Sequence, residues 1–182
     1  MKMHQNIGMS DYIMNVITEG YSDVMYLDTM AKNLGIENMK FIASIGASQS
    51  VHLAKILWGW GYPYKILFDS DKAGHDAKKS IMKYFGYQEG EVEGINFKSE
   101  HIVMISDVLT TEDKDVKTIE SLIEEEDYKK FSNEFSEIKV QTDSNMKMIF
   151  AKTFADKVTA AEVTLCFETV NNFKRLFKKI NE

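Results

Sequence analysis

Short apolar stretches alternate with amphipathic stretches along the first 106 residues. Four of the apolar stretches are too short for helices, and several contain β-branched side chains, so each predicts a buried strand. They cover residues 12–18, 40–45, 65–68 and 101–105. Because amphipathic stretches of helical length separate them, the pattern predicts an α/β fold, in which a mainly parallel sheet of about four strands carries helices on both faces.

Each of the three intervening stretches has apolar side chains at helical spacing. These are Val24, Leu27, Ala31 and Leu34; then Val51, Ala54, Leu57 and Trp58; then Ala77, Ile81 and Phe85. Ser22 is typical of a helix N-cap and Gly35 of a helix end, so we expect the first helix between them. The second helix should end near residues 59–61. Tryptophans at this spacing usually pack inside, so we expect Trp58 and Trp60 in the core rather than stacked on bases.

The pattern changes after residue 110. Helical stretches around residues 116–126 and 145–158 precede a last helix with one apolar stripe. The stripe contains Val163, Phe167, Val170, Phe173, Phe177 and Ile180. We expect a core over residues 1–110 and a helical extension over residues 111–182 that packs on it within the same domain. The alternative is that the stripe docks on a partner.

Composition agrees with one globular domain. The chain has 182 residues, of which 44% are hydrophobic and 27% charged. It has no apolar run near the roughly 18 residues of a membrane span, and residues 1–10 do not resemble a signal peptide, so we expect a cytoplasmic protein without a membrane partner. A single cysteine, Cys166, excludes an internal disulfide.

The net charge of −6 does not exclude a nucleic-acid partner, because the acidity is local. Residues 89–143 carry 16 acidic and 6 basic side chains, whereas residues 144–182 carry 4 and 7. Local patches, rather than the total charge, attract a polyanion. A phosphate-binding face therefore remains possible outside the acidic segment.

Acidic side chains follow the first and third predicted strands directly. Glu19 ends the first strand, with Asp23 one turn into the next helix, and Asp69 and Asp71 follow the third. The carboxyl ends of parallel strands lie at one edge of a sheet, where ligands bind. Converging carboxylates repel unless a cation joins them, and hard oxygen ligands suit Mg²⁺ or Mn²⁺. The pattern predicts metal-dependent phosphodiester chemistry.

Other interpretations of the acidic residues fit less well. Residues 69–80 have Ser80 where a calcium loop needs glutamate, and no phosphate-binding loop for ATP occurs. A phosphatase with an aspartyl nucleophile would leave Glu19 and Asp23 without a role. Two simpler interpretations stay open: Asp69 and Asp71 in a solvated turn, and Asp23 as an acid that stabilises the first helical turn.

At this point the residues resemble a known family. A strand, then Glu19-Gly20-Tyr21-Ser22-Asp23, and later a strand that runs into Asp69-Ser70-Asp71-Lys72-Ala73-Gly74, look like the Toprim domain of topoisomerases, primases and nucleases. The likeness spans residues 13–79. Within that family, residues 43–48 and 118–122, with Lys147 four residues before Ala151, look most like the C-terminal Toprim domain of OLD (overcoming lysogenization defect) nucleases.

The resemblance implies a DNA endonuclease that uses two Mg²⁺ or Mn²⁺ ions, with a role in phage defence. It implies that Glu19, Asp69 and Asp71 hold metal, that Asp23 and Glu120 support a second ion, and that Lys147 faces the reacting phosphate. By the same likeness, residues 1–110 are the Toprim catalytic core. The candidate substrate-binding residues are Gly20, Gly46, Ser48 and Lys72.

The resemblance leaves the partners and the substrate open. OLD nucleases normally join the Toprim domain to an ABC-type ATPase, and no ATP-binding loop occurs in these residues. We therefore expect nucleic acid as the partner, DNA before RNA, with an ATPase chain and a homodimer as further options. The alternatives to a DNA nuclease are a small Toprim ribonuclease acting on structured RNA and a metal-binding module active only with a partner ATPase.

Overall fold

A computed structural model describes residues 13–84, 99–108, 117–132 and 143–182. Its four strands form one sheet with the order β2-β1-β3-β4, and every neighbouring pair is parallel. The strands are β1 (Met14–Thr18), β2 (Met39–Ala43), β3 (Tyr64–Phe68) and β4 (Ile102–Met104). The predicted α/β sheet is confirmed.

Six α-helices occur in the described part of the chain. They are α1 (Tyr21–Asn33), α2 (Ser50–Trp60), α3 (Lys72–Tyr84), α4 (Glu125–Ser132), α5 (Asp143–Thr159) and α6 (Phe167–Asn181). Short 3₁₀ turns cover Ala47–Gln49, Ser99–His101, Ile105–Asp107 and Ile119–Leu122. Within the same residues, no helix is long and apolar enough to cross a membrane.

The first helix begins earlier than the sequence predicts. Its N-cap is Gly20 rather than Ser22, because the Asp23 carboxylate accepts a hydrogen bond from the Gly20 N–H at 2.8 Å. This bond satisfies one of the amide groups that a helix start leaves without a partner. The loop after β1 is therefore only two residues long, which keeps Glu19 at the edge of the sheet.

Two apolar clusters cover the two faces of the sheet. One combines side chains of α1, α5 and α6 with Val16 and Leu67, and the other combines α2 and α3 with Ile17, Ile66 and Phe68. Alternate residues of β1 and β3 thus point to opposite clusters, as the pleat of a strand requires. Both Phe173 and Phe177 are buried in the first cluster.

The burial of α6 gives a testable difference between two of its phenylalanines. Phe173 is fully buried, whereas Phe167 is 75% exposed. We expect Phe173→Ala to lower the free energy of unfolding by about 3–5 kcal/mol, because the truncation leaves a cavity in the core that no other side chain fills. Phe167→Ala should change the free energy of unfolding by about 0.5 kcal/mol or less. Urea unfolding measures both; equal effects would contradict the packing of α6 on the sheet.

Some details of the sequence prediction are wrong. Trp58 and Trp60 are 43% and 55% exposed, because α2 buries the stripe of Ser50, Ala54 and Leu57 and the two indoles flank that stripe on either side. The helix expected around residues 116–126 is instead a 3₁₀ turn followed by α4. Residues 85 and 116 and the expected boundary at residues 110–111 lie outside the described residues, so the division of the chain stays a prediction.

Candidate active site at the carboxyl edge of the sheet

The strand order creates a crevice at the carboxyl edge. The chain moves from β1 outward to β2 and then returns to the other side of β1 to form β3, so the loops after β1 and β3 diverge. This is the switch point at which open α/β sheets bind ligands. Glu19 follows β1 and Asp69 follows β3, and the Asp69 N–H donates to Glu19 Oε1 at 3.0 Å. Sequence reasoning therefore paired these two residues correctly.

Asp71 has a structural contact as well. Its Oδ1 accepts a hydrogen bond from the Gly74 N–H at 2.8 Å, in the first turn of α3. This contact anchors the start of α3 beside β3, as the Asp23 contact anchors the start of α1 beside β1. The simpler interpretation of Asp23, as an acid that stabilises the first helical turn, is therefore correct. It is compatible with metal binding, because each carboxylate has a second oxygen.

Gly74 allows α3 to approach the site closely. A Cβ atom at this position would overlap the Asp69 carbonyl oxygen and would lie 3.0 Å from its carbon and 3.3 Å from Glu19 Oε1. Only a residue without a side chain fits there. The close approach places the first turn of α3 against the Asp69 backbone and the Glu19 carboxylate, and sequence reasoning did not assign this role to Gly74.

Glu120 and Lys147 reach the same crevice from the C-terminal half of the chain. Lys147 Nζ on α5 lies 3.8 Å from Glu120 Oε1 on the 3₁₀ turn Ile119–Leu122. The charges of both residues act on Asp23 and Asp69, so these four side chains share one electrostatic site. Glu120 is largely buried and Lys147 is about half exposed, with side-chain exposures of 18% and 53%.

Three carboxyl groups of the site, those of Asp69, Asp23 and Glu19, resist ionisation. Burial, followed by the charges of Asp23 and Glu19, raises the pKa of Asp69 to about 8. Burial and the charge of Glu120 raise the pKa of Asp23 to about 6. Burial also raises the pKa of Glu19, and the charges of Asp71 and Asp23 act in the same direction. Such mutual repulsion is what a bound cation relieves.

The donor set fits a divalent ion that also binds the substrate. Among the residues that the structure describes, no group of three or more acidic, histidine or cysteine side chains is arranged to hold an ion alone. Mg²⁺, however, commonly binds through one or two carboxylates and takes its other ligands from water and substrate phosphates. The pairs Glu19 with Asp69 and Asp23 with Glu120 match that second mode of binding, and the second oxygen of Asp71 can add a further ligand to the first pair.

The expected substrate-binding residues surround the crevice but differ in their contacts. Gly46 has a φ of +102°, which favours glycine, and its N–H donates to the Glu19 carbonyl at 2.7 Å. This amide therefore positions the Glu19 loop, whereas the sequence suggested a direct approach to phosphate. Ser48 and Lys72 are exposed on the neighbouring turn and at the start of α3. Gly20 forms the N-cap of α1.

Three further contacts of the site carried no signal in the sequence. The Ser106 N–H donates to Ser70 Oγ at 2.8 Å, and the Ser70 N–H donates to the Lys117 carbonyl at 2.6 Å. These bonds tie the loop after β3 to the segments that follow β4 and precede Glu120. The Thr18 hydroxyl donates to the Gly20 carbonyl at 3.1 Å and fixes the loop after β1. The two bonds of Ser70 join segments that only the folded chain brings together, whereas the Thr18 bond is local.

Comparison with known proteins gives a fold relationship. No protein-family model matches the sequence, and no curated protein matches it. The structure is similar to the C-terminal region of the OLD protein of Xanthomonas campestris pv. campestris, with a TM-score of 0.53 and 14% identity over 92% of this chain and 96% of that one. It is also similar to the C-terminal region of the Burkholderia pseudomallei OLD protein, with a TM-score of 0.50 and 12% identity over 92% and 98%.

These similarities cover both the sheet and the helical extension. They confirm the predicted resemblance and the Toprim-like α/β class, and at this level of identity they concern the fold. The chain therefore has the fold of the C-terminal region of OLD proteins, with its acidic residues gathered at the switch point of the sheet.

Proposed function

We propose that this chain is a nuclease that hydrolyses DNA phosphodiester bonds with two divalent metal ions. The observation that carries the proposal is the convergence of Glu19, Asp23 and Asp69 in one narrow cleft at the switch point of the sheet. Their raised pKa values and the nearby Glu120 and Lys147 support a site built for a cation and a phosphate. The OLD-like fold supports the class of reaction.

We assign Glu19, Asp69 and Asp71 to one Mg²⁺ or Mn²⁺ ion, and Asp23 and Glu120 to the other. When bound, the ions supply Lewis-acid chemistry, because they lower the pKa of a water molecule and neutralise charge on the phosphate. The protein holds the carboxylates in place through backbone amides. Of these, the Asp69 N–H on Glu19 Oε1 joins the two strands directly.

Glu19 is assigned to proton transfer, and Lys147 is assigned to stabilising negative charge on the phosphate. We assign the proton of the attacking water to the Glu19 carboxylate, which shares the cleft with Asp69 and Asp23. Lys147 is held beside Glu120 at the rim, where its positive charge favours the negative charge that develops on the phosphate.

The proposal extends to partners. Two positively charged stretches flank the acidic middle of the chain, so local attraction of a polyanion is compatible with the net charge. We propose DNA as the substrate, in the cytoplasm, and an ABC-type ATPase domain or chain as the functional partner. The assignment of an ATPase partner rests on the OLD-like fold, since the similar structures are C-terminal regions of OLD proteins.

The test is cleavage of supercoiled plasmid by the purified chain in Mg²⁺, in Mn²⁺ and in EDTA. We expect metal-dependent nicking that is lost in an Asp69→Ala, Asp71→Ala variant purified in the same way, because that variant lacks two assigned ligands. Nicking that persists in the variant would contradict the site. Cleavage of structured RNA but not of plasmid would identify the ribonuclease alternative, and activity only after addition of an OLD-type ATPase chain would identify the dependent module.

A further inference from the structure

A second concave feature lies beside the carboxylate cleft. A cavity of about 480 Å³, here called the α2–α3 cavity, is lined by residues 47, 48 and 51 on one side and by residues 73–84 of α3 on the other. Its volume falls within the range of small-molecule sites. None of the carboxylates assigned to metal lines it, so it is a separate feature of the molecule.

One end of the cavity lies beside the proposed active site. Ala73 stands two residues after Asp71 on α3. On the opposite wall, Ala47 follows Gly46, whose N–H donates to the Glu19 carbonyl at 2.7 Å. Both walls therefore begin at segments attached to the metal-binding carboxylates. A group at this end of the cavity would therefore lie beside the carboxylates assigned to metal.

The lining chemistry selects the kind of group that fits. Apolar side chains such as Val51 and Ile81 form the floor, and Ser48, Asp76 and Ser80 supply polar atoms. The described lining residues include no lysine or arginine, and the Asp76 carboxylate repels phosphate. A largely apolar group with hydrogen-bond donors is what this lining accommodates.

We propose that the α2–α3 cavity binds the nucleobase next to the scissile phosphate and prefers a base with an exocyclic amino group. Adenine, cytosine and guanine carry such a group, and an ionised carboxylate can only accept hydrogen bonds, as Asp76 would from these bases. Thymine and uracil lack the amino group. At the far end of the cavity, Lys55 Nζ lies 3.4 Å from the centre of the Tyr84 ring and holds that wall in place. This inference rests on the proposed nuclease function.

The first test maps the bases beside the cut. Random-sequence single-stranded DNA is cleaved in Mg²⁺, and the product ends are sequenced. We expect thymine to be depleted roughly fivefold at one position next to the cut. Asp76→Ala, which removes the acceptor, and Ser80→Phe, which fills the cavity from an exposed position, should reduce the depletion to about twofold or less. The matched variant Asp156→Ala, on an exposed part of α5, should leave it unchanged. An identical base pattern in all four proteins would overturn the inference.

The second test does not depend on cleavage. Methyl NMR signals of Ala47 and Val51 are followed in EDTA during titration with deoxycytidine or thymidine. We expect deoxycytidine to shift these signals more than thymidine does. Ser80→Phe should abolish this difference. If cleavage occurs without a base preference and neither nucleoside moves these signals, the cavity assignment fails while the nuclease stands. If the protein cleaves no nucleic acid but deoxycytidine moves the signals, the nuclease fails while nucleobase binding stands. Neither cleavage nor shifts would overturn both.

Discussion

Asp69→Asn is expected to abolish hydrolysis and, at the same time, to stabilise the metal-free protein. Asn keeps the shape of Asp but cannot carry the charge that burial, Asp23 and Glu19 disfavour. At pH 8 in EDTA we expect the free energy of unfolding to rise by about 2 kcal/mol, which corresponds to roughly 4–8 °C in melting temperature. Cleavage should fall by roughly 1,000-fold, since an assigned metal ligand is lost.

The sign of this effect follows from proton linkage. The pKa of Asp69 is about 8 in the folded chain and about 4 in the unfolded chain, so the folded state binds the proton more tightly. The contribution of Asp69 to the free energy of unfolding is fully present below about pH 4 and is lost as the pH rises through 8. The difference between Asp69→Asn and wild type should therefore grow between pH 4 and 8 and then level off.

Thermal unfolding of both proteins in EDTA across this pH range measures the difference. Asp156→Asn is the matched control, because it removes an exposed carboxylate outside the site and should show no comparable trend. Addition of Mn²⁺ should stabilise wild type more than Asp69→Asn, since only wild type keeps the complete set of assigned ligands. A wild type more stable than Asp69→Asn at pH 8 in EDTA would contradict the electrostatic account of the site.

Gly74→Ala is expected to lower the free energy of unfolding more than an added methyl group at any other glycine in the described part of the chain. The new Cβ would overlap the Asp69 carbonyl oxygen and press against Glu19 Oε1. Because the nearest atoms belong to backbone at the end of β3, relief requires α3 to move away from the sheet. We expect a loss of about 3 kcal/mol or more in the free energy of unfolding, together with loss of cleavage.

The control for this substitution lies in another helix. At Gly59, in the last turn of α2, an added Cβ meets nothing within 4 Å. Gly59→Ala should therefore stabilise the protein by about 0.5–1 kcal/mol, since alanine loses less backbone entropy in a helix. Urea unfolding of both variants separates the two effects. A Gly74→Ala protein with wild-type stability would show that α3 does not pack against Asp69 as described.

The sequence was sufficient for the architecture and for the two central carboxylates. Buried strands alternating with helices predict a parallel sheet, and the carboxyl ends of parallel strands share an edge, so Glu19 and Asp69 were expected to lie near each other if β1 and β3 are neighbours. The strand order adds what the pattern leaves open: β1 lies between β2 and β3. Local periodicity was also sufficient for Phe173, Phe177 and Ile180 on the buried face of α6, whereas Phe167 of the predicted stripe is exposed and Val163 precedes the helix.

What the sequence could not supply depends on contacts between distant segments. Glu120 and Lys147 carry no local signal and entered only through the resemblance; the fold brings them within 3.8 Å of each other. The role of Gly74 depends on how closely α3 approaches β3. The exposure of Trp58 and Trp60 depends on how narrow a stripe of α2 the sheet covers. Periodicity describes one element, and these properties belong to pairs of elements.

The most direct test of the central claim counts the metal ions at the carboxylate site. Mn²⁺ is titrated into wild type, Asp69→Asn and Asp156→Asn with a phosphorothioate oligonucleotide present, and free Mn²⁺ is measured by its EPR signal. We expect two bound ions per chain in wild type and Asp156→Asn, and weaker binding with at least one ion lost in Asp69→Asn. Equal binding by all three proteins, or no binding by wild type, would contradict the claim.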